Sequence, residues 1–257
     1  MPLDTSTTYR LTRLRLDGRR WNELRLVQAQ ISTNPASSGS SYLAMGNTVV
    51  VCNVHGPAEG KRSETAGGGG GAVVSVVVNI AGFAGVDRKK KSMMAGGGGG
   101  GGGGGDSTIS VHVSVLSSDG SIFAACINAC TLALVDAGIP MPGLLCACTV
   151  GMSGRASTPA AELAQSRVGG INESLDPLLD LSRPEELELP HMTVANTNPV
   201  AGASEEGEEE EQMLSIVRME SGVHISYLET VFAVGIDGCR RVLEGETGYQ
   251  AGMDMEP

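Results

Sequence analysis

Aromatic residues are scarce in this chain of 257 residues: one Trp, three Phe and four Tyr, 3% in all. Because 41% of residues are hydrophobic, wholesale disorder is excluded, and the core has to be built from Val, Leu, Ile, Ala and Met. Cations are outnumbered too, with 18 Lys and Arg against 29 Asp and Glu and a net charge of -11. That balance excludes a generic, charge-driven coat on nucleic acid but leaves room for a local basic patch. Part of the acidity lies in the run from Glu205 to Glu211, which reads as a solvated loop.

Long apolar runs are missing. The stretch from Ala72 to Val86 is interrupted by Ser75 and Asn79 and is shorter than the roughly 20 residues a spanning helix needs, so no membrane partner is expected. The start, MPLDTSTTYRLTRLRLDGRR, has no apolar signal core, and secretion is not expected. None of the six cysteines forms a C-x-x-C pair. Cys126 and Cys130 are spaced for one helix face and Cys146 and Cys148 alternate as on a strand, which reads as buried free thiols in a reducing compartment. No metal site and no cofactor are expected. A phosphate loop is absent as well, since Gly56-Pro57-Ala58-Glu59-Gly60-Lys61-Arg62 has one residue too few between its glycines and Arg62 where Ser or Thr should ligate magnesium. His55, His112, His191 and His224 lie in no nucleophile motif.

What is present is a sequence of strands and helices. Val27 to Ile31, Ser41 to Leu43, and Thr48 onward to Val54 after the Gly46-Asn47 turn read as strands, followed by a polar loop, GPAEGKRSE. Ala72 to Ile80 is a β-branched strand, and Thr108 to Leu116 alternates as TISVHVSVL. Ala124 to Ala137 reads as a helix capped by Gly138, and Leu144 to Val150 as a buried strand. Strand character resumes at Leu178 to Leu181, Met192 to Ala195 and Met213 to Met219, and Ser226 to Leu243 reads as an amphipathic helix. Strands followed by a helix, twice over, predict an α+β layered domain over residues 1–257. Low-complexity or inserted segments are expected at 66–71, 95–105, 151–176 and 203–212, with the glycine run Gly96 to Gly105 as flexible linker.

Candidate chemistry is sparse. Asp176, Asp180, Glu185 and Glu186 are the acids available for magnesium, but without a companion acid on a neighbouring strand they read as a solvated turn. Lys61 with Arg62, and Arg88 with Lys89, Lys90 and Lys91, form two basic groups in loops after strands, where they are candidates for gripping RNA phosphates.

Several separated blocks occur in one order along most of the chain: Asp17-Gly18-Arg19-Arg20 with Glu23-Leu24-Arg25, GNTVVVCNVHGPAE, DGSIFAACINACTLALVDAGIPM, LLDL followed by PEE, MESGVH and IDGCRRVL. This ordered set resembles the RNase PH superfamily, and within it the ring subunits of the eukaryotic exosome. The resemblance implies an RNase PH-like (ribosomal protein S5 domain 2-like) fold with repeated sheet and helix halves. It implies a six-membered ring around an RNA channel, built with an RNase PH-like sister subunit and other ring subunits. It further implies cap proteins, an associated 3′-to-5′ nuclease and single-stranded RNA as partners, and a place in the nucleus, nucleolus and cytoplasm. Phosphorolytic members hold inorganic phosphate with a Thr-Arg or Ser-Arg pair in the turn before the central helix, and here that arginine position is Phe123. They place an aspartate near magnesium after the LLDL block, and here the matching position is His191. The loop after the GP-x-E block faces the channel in related subunits, which maps RNA contact onto Lys61 and Arg62. Relatives also carry a long helix with paired arginines where this chain has Gly96 to Gly105.

Two functions follow as expectations. The first is a non-catalytic structural and RNA-guiding ring subunit supporting RNA processing and rRNA maturation. The second is an active phosphate-dependent 3′-to-5′ exoribonuclease. A chain unable to fold for want of the missing helix is a third, separated from both by its unfolding transition.

Overall fold

The structure, a computed structural model, describes residues 14–59, 72–85, 88, 91–96, 107–153, 176–199, 213–219, 222, 223 and 225–253. Its elements are β1 (Val27–Ile31), β2 (Gly39–Met45), β3 (Thr48–Glu59), β4 (Ala72–Ile80), β5 (Lys91–Gly96), β6 (Ser107–Ser117), α1 (Ile122–Asp136), β7 (Gly143–Met152), β8 (Pro177–Leu179), α2 (Arg183–Glu188), β9 (His191–Pro199), β10 (Met213–Met219) and α3 (Ile225–Met253). They divide into two compact units. One comprises residues 28–118 and 125–141, and the other residues 1–27, 119–124 and 142–257.

The first unit is a six-stranded mixed sheet in the order β1-β2-β3-β6-β4-β5, with α1 packed against β2 and β3. The alternation in β6 does what its sequence predicts: Ile109, Val111, Val113 and Val115 are buried while His112 points outward. β4 runs parallel to β6, from Ala72 opposite Ser107 to Ile80 opposite Val115, and antiparallel to β5. With almost no aromatics, the unit is closed by small residues. Ala125, Ala129 and Ala133 of α1 are fully buried, and a Cβ on Gly39 would lie 2.4 Å from the Ala133 carbonyl oxygen. Polar atoms in this seam are matched. The Ser41 hydroxyl donates to the Ala129 carbonyl at 2.7 Å, and the Asp136 carboxylate accepts from the Ser40 amide at 2.7 Å and the Ser32 hydroxyl at 2.5 Å. Gly138, at φ +66°, turns the chain out of the helix.

The second unit is a four-stranded antiparallel sheet in the order β10-β9-β7-β8 with α3 against it. Cys146, Cys148, Val150, Met152, Leu179, Met192, Val194, Val231 and Cys239 form its core. Two glycines let α3 approach: a Cβ on Gly238 would sit 2.7 Å from Leu179 Cδ2, and one on Gly235 3.0 Å from Val194 Cγ2. All six cysteines are free, and burial pushes the Cys126 and Cys239 thiols up to about 12, so they act as apolar filling.

The α+β expectation holds, one helix following each set of strands. Boundaries differ in four places. GPAE continues β3 to Glu59 instead of opening a loop, with the Gly56–Pro57 peptide cis. The expected insertion at 95–105 begins inside β5, and that expected at 151–176 begins inside β7, which runs to Met152. Lys91 is the first residue of β5, opposite Ile80, and not part of a loop. α3 extends to Met253, well past Leu243. Residues 66–71, 203–212 and most of the other two insertions lie outside the described residues.

Candidate functional site

Three arginines of the segment before β1 converge on the residues after β8. Arg25 is 8% exposed and Asp180 fully buried. Arg25 Nη2 donates to Asp180 Oδ1 at 2.6 Å and Nε to Oδ2 at 2.9 Å, a two-pronged pair, and its backbone amide adds a third bond to Oδ2 at 3.0 Å. Arg15 makes a second two-pronged pair with Glu185, at 2.8 and 2.5 Å, and donates to the backbone carbonyls of Leu179 and Asp180. Arg19 bonds Asp17 at 2.6 Å and the Asp180 carbonyl at 3.1 Å.

These acids were expected in a solvated turn; the structure corrects that for Asp180 and Glu185, which are buried and paired. A carboxylate cannot stay charged in an apolar layer without a partner, and the leucines flanking Asp180 are that layer. Burial by itself pushes the Asp180 carboxyl up, but hydrogen bonds and charge from Arg25, joined by Arg19, outweigh it and hold the group below the usual carboxylate range. Glu185 follows the same logic with Arg15. Asp176 is half-buried, its amide donating to the Ser153 hydroxyl at 2.9 Å.

The same network fixes the turn leading into α1. Arg25 Nη1 donates to the Asp119 carbonyl at 2.7 Å. The Ser121 hydroxyl donates to the Leu181 carbonyl at 3.0 Å, and the Ser121 amide donates to Glu186 Oε1 at 2.5 Å. Ser121 sits at φ +53° and Gly120 at φ +84°, where a Cβ would lie 2.5 Å from the Leu181 carbonyl oxygen. Phe123 follows on the first turn of α1, with the Arg218 guanidinium from β10 stacked over its ring at 4.8 Å. His191 opens β9, its Nδ1 3.2 Å from the Leu189 carbonyl oxygen. Among the described residues, no group of three or more His, Cys, Asp or Glu side chains is placed to hold a metal ion.

Of the basic candidates, Arg88 and Lys91 are described, and both belong to the other unit. Arg88 is exposed, and Lys91 lies in β5. Lys61, Arg62, Lys89 and Lys90 lie outside the described residues. Sequence reading missed the roles of Arg15, Arg25 and Arg218. For the first two a signal existed, since an acid inside LLDL requires a cation from elsewhere in the chain. For Arg218 none did.

The fold defines an α+β class of two sheet-and-helix units, and comparison makes the class specific. The RNase PH family, described as the 3′ exoribonuclease family, domain 1, matches residues 23–97 and 102–140. The chain is 33% identical over 243 residues to the exosome complex component ski6 of Schizosaccharomyces pombe, covering 89% of this chain and 87% of that one. It is 32% identical over 245 residues to the exosome complex component SKI6 of Saccharomyces cerevisiae, with 89% and 87% covered. The chain belongs to the RNase PH family. A solved structure of rice Rrp46 shares its fold with a TM-score of 0.62 at 21% identity, covering 91% of this chain and 98% of that chain.

Proposed function

We propose that the chain is a non-catalytic ring subunit of an RNA exosome, working in RNA processing and degradation as a structural and RNA-guiding component. Its relatives carry the name of exosome complex components and match it along nearly their whole length. On this reading it joins an RNase PH-like sister subunit and other ring subunits, meets cap proteins and an associated 3′-to-5′ nuclease, and conducts single-stranded RNA. It works in the nucleus, nucleolus and cytoplasm. Lys61, Arg62 and the run from Arg88 to Lys91 are the proposed RNA contacts.

The observation that carries the loss of catalysis is the turn before α1. Phe123 occupies the position of the phosphate-holding arginine, and the nearby Ser121 amide is taken by the Glu186 carboxylate. An internal anion there opposes an incoming phosphate by like charge. His191, at the position of the metal-side aspartate, offers no hard oxygen ligand.

One observation favours the second reading, an active phosphorolytic exoribonuclease: Arg218 brings a guanidinium to Phe123 by another route. The test is phosphorolysis of a labelled single-stranded RNA by the purified chain, alone and with its ring partner, in magnesium and inorganic phosphate. We expect no nucleoside diphosphate. Phosphate-dependent shortening from the 3′ end, abolished in Arg218→Ala, would establish the enzyme instead.

A further inference from the structure

Among the chain's three phenylalanines, Phe83 is 75% exposed, although aromatics are the costliest side chains to leave in water and this core is short of them. Its position is not a frayed end. The Ala84 amide donates to the Ala81 carbonyl at 3.0 Å, closing a turn over Gly82 and Phe83. That turn is tied to β6 on both sides, by the Ala81 amide to the Val115 carbonyl and the Ser118 amide to the Ala84 carbonyl, each at 3.0 Å. Ala84, next in line, is buried at 7% exposure, so the turn puts its small residue inward and its large ring outward. The Arg88 amide donates to the Gly85 carbonyl at 3.2 Å, and Arg88 is exposed. In sequence Arg88 opens four consecutive cations, in a chain whose overall charge is -11.

We propose that Phe83 is a base-stacking platform for single-stranded RNA, with Arg88 contacting the adjoining phosphate. The inference rests on the reading of the chain as an RNA-handling subunit and adds to it a residue that charge alone does not reveal. An exposed ring on a tied backbone, five residues before an exposed arginine, suits a flexible polyanion whose bases are unpaired, because every base offers a π-face and every nucleotide a phosphate. The cations that follow Phe83 in sequence favour a polyanion over a protein as the occupant.

The full chain is titrated with labelled oligoadenylate and with an abasic ribose-phosphate oligomer of equal length. Phe83→Ala and Phe83→Leu should weaken oligoadenylate binding about tenfold and leave abasic binding unchanged, whereas Arg88→Ala should weaken both. Trp21 is the only tryptophan, so Trp21→Phe combined with Phe83→Trp puts a single reporter at the turn, and RNA should quench it. Wild-type binding with no effect of Phe83→Leu and no quenching overturns the platform and leaves the RNA-guiding function standing. Altered assembly in Phe83→Leu at unchanged RNA affinity overturns it in favour of a protein contact. Absence of RNA binding by the wild-type chain, alone and in the assembled ring, removes both readings. Since Phe83 is exposed, the thermal transition of each variant should match the wild type.

Discussion

Asp180 and Arg25 are each other's principal reason to be charged where they are, with Arg19 a weaker second cation for Asp180. Removing either leaves an uncompensated buried charge, so Arg25→Ala and Asp180→Asn should each destabilise the fold by about 3–5 kcal/mol in urea unfolding. The pair also sets an acid limit. The folded values of Asp180 and Glu185 lie below their ordinary ones, so their contribution is complete above about pH 4–5 and is lost as pH falls through the ordinary values toward the folded ones. Unfolding free energy should drop steeply below about pH 4 in the wild type and less steeply in Asp180→Asn. The position of Asp180 was legible as a motif and its partner was not. Three residues of flanking leucine announce burial, but nothing local says which of 18 cations answers it.

At the level of elements, what could be read was what has a period. β6 and β4 were visible because β-branched residues alternate or run together, and α1 because small apolar residues recur and Gly138 follows. β5 was hidden because KSMMAG has no β-branched residue and leads into polyglycine, and its pairing with β4 comes from sheet context. The parallel β4–β6 pair was equally invisible, since strand direction leaves no trace in composition. The seam between β2 and α1 offers the sharpest test at this scale. Gly39→Ala would drive a methyl into the backbone at Ala133 and Ala137, atoms that cannot rotate aside, and should lower stability by about 1–3 kcal/mol or more, read as a shifted denaturant midpoint with unchanged slope.

For the whole molecule, family membership follows from blocks distributed along the chain, each weak alone, and the two units show how they cooperate. DGRR and ELR come from before the first sheet, DGSIF from the turn before α1, and LLDL with PEE from beyond β7; the arginine network joins them all within one unit. The catalytic reading was less legible, because it turns on what Phe123 and His191 replace and on a cation, Arg218, that arrives from β10.

That one unit takes residues from both sides of the other has a consequence for synthesis. The partners of Arg25 and Arg15 lie 155 and 170 positions downstream. At about 5–20 residues per second, the ribosome delivers them roughly 10–30 seconds after the arginines emerge. Throughout that interval the amino-terminal arm has no carboxylates to dock on, and its guanidinium groups remain hydrated and open to any passing anion or chaperone. A nascent chain stalled before Asp180 should therefore react at Arg15 and Arg25 with an arginine-specific dicarbonyl reagent that spares both in the finished protein. The segment from Arg15 to Arg25 is made early and is among the last parts of the chain to find its place.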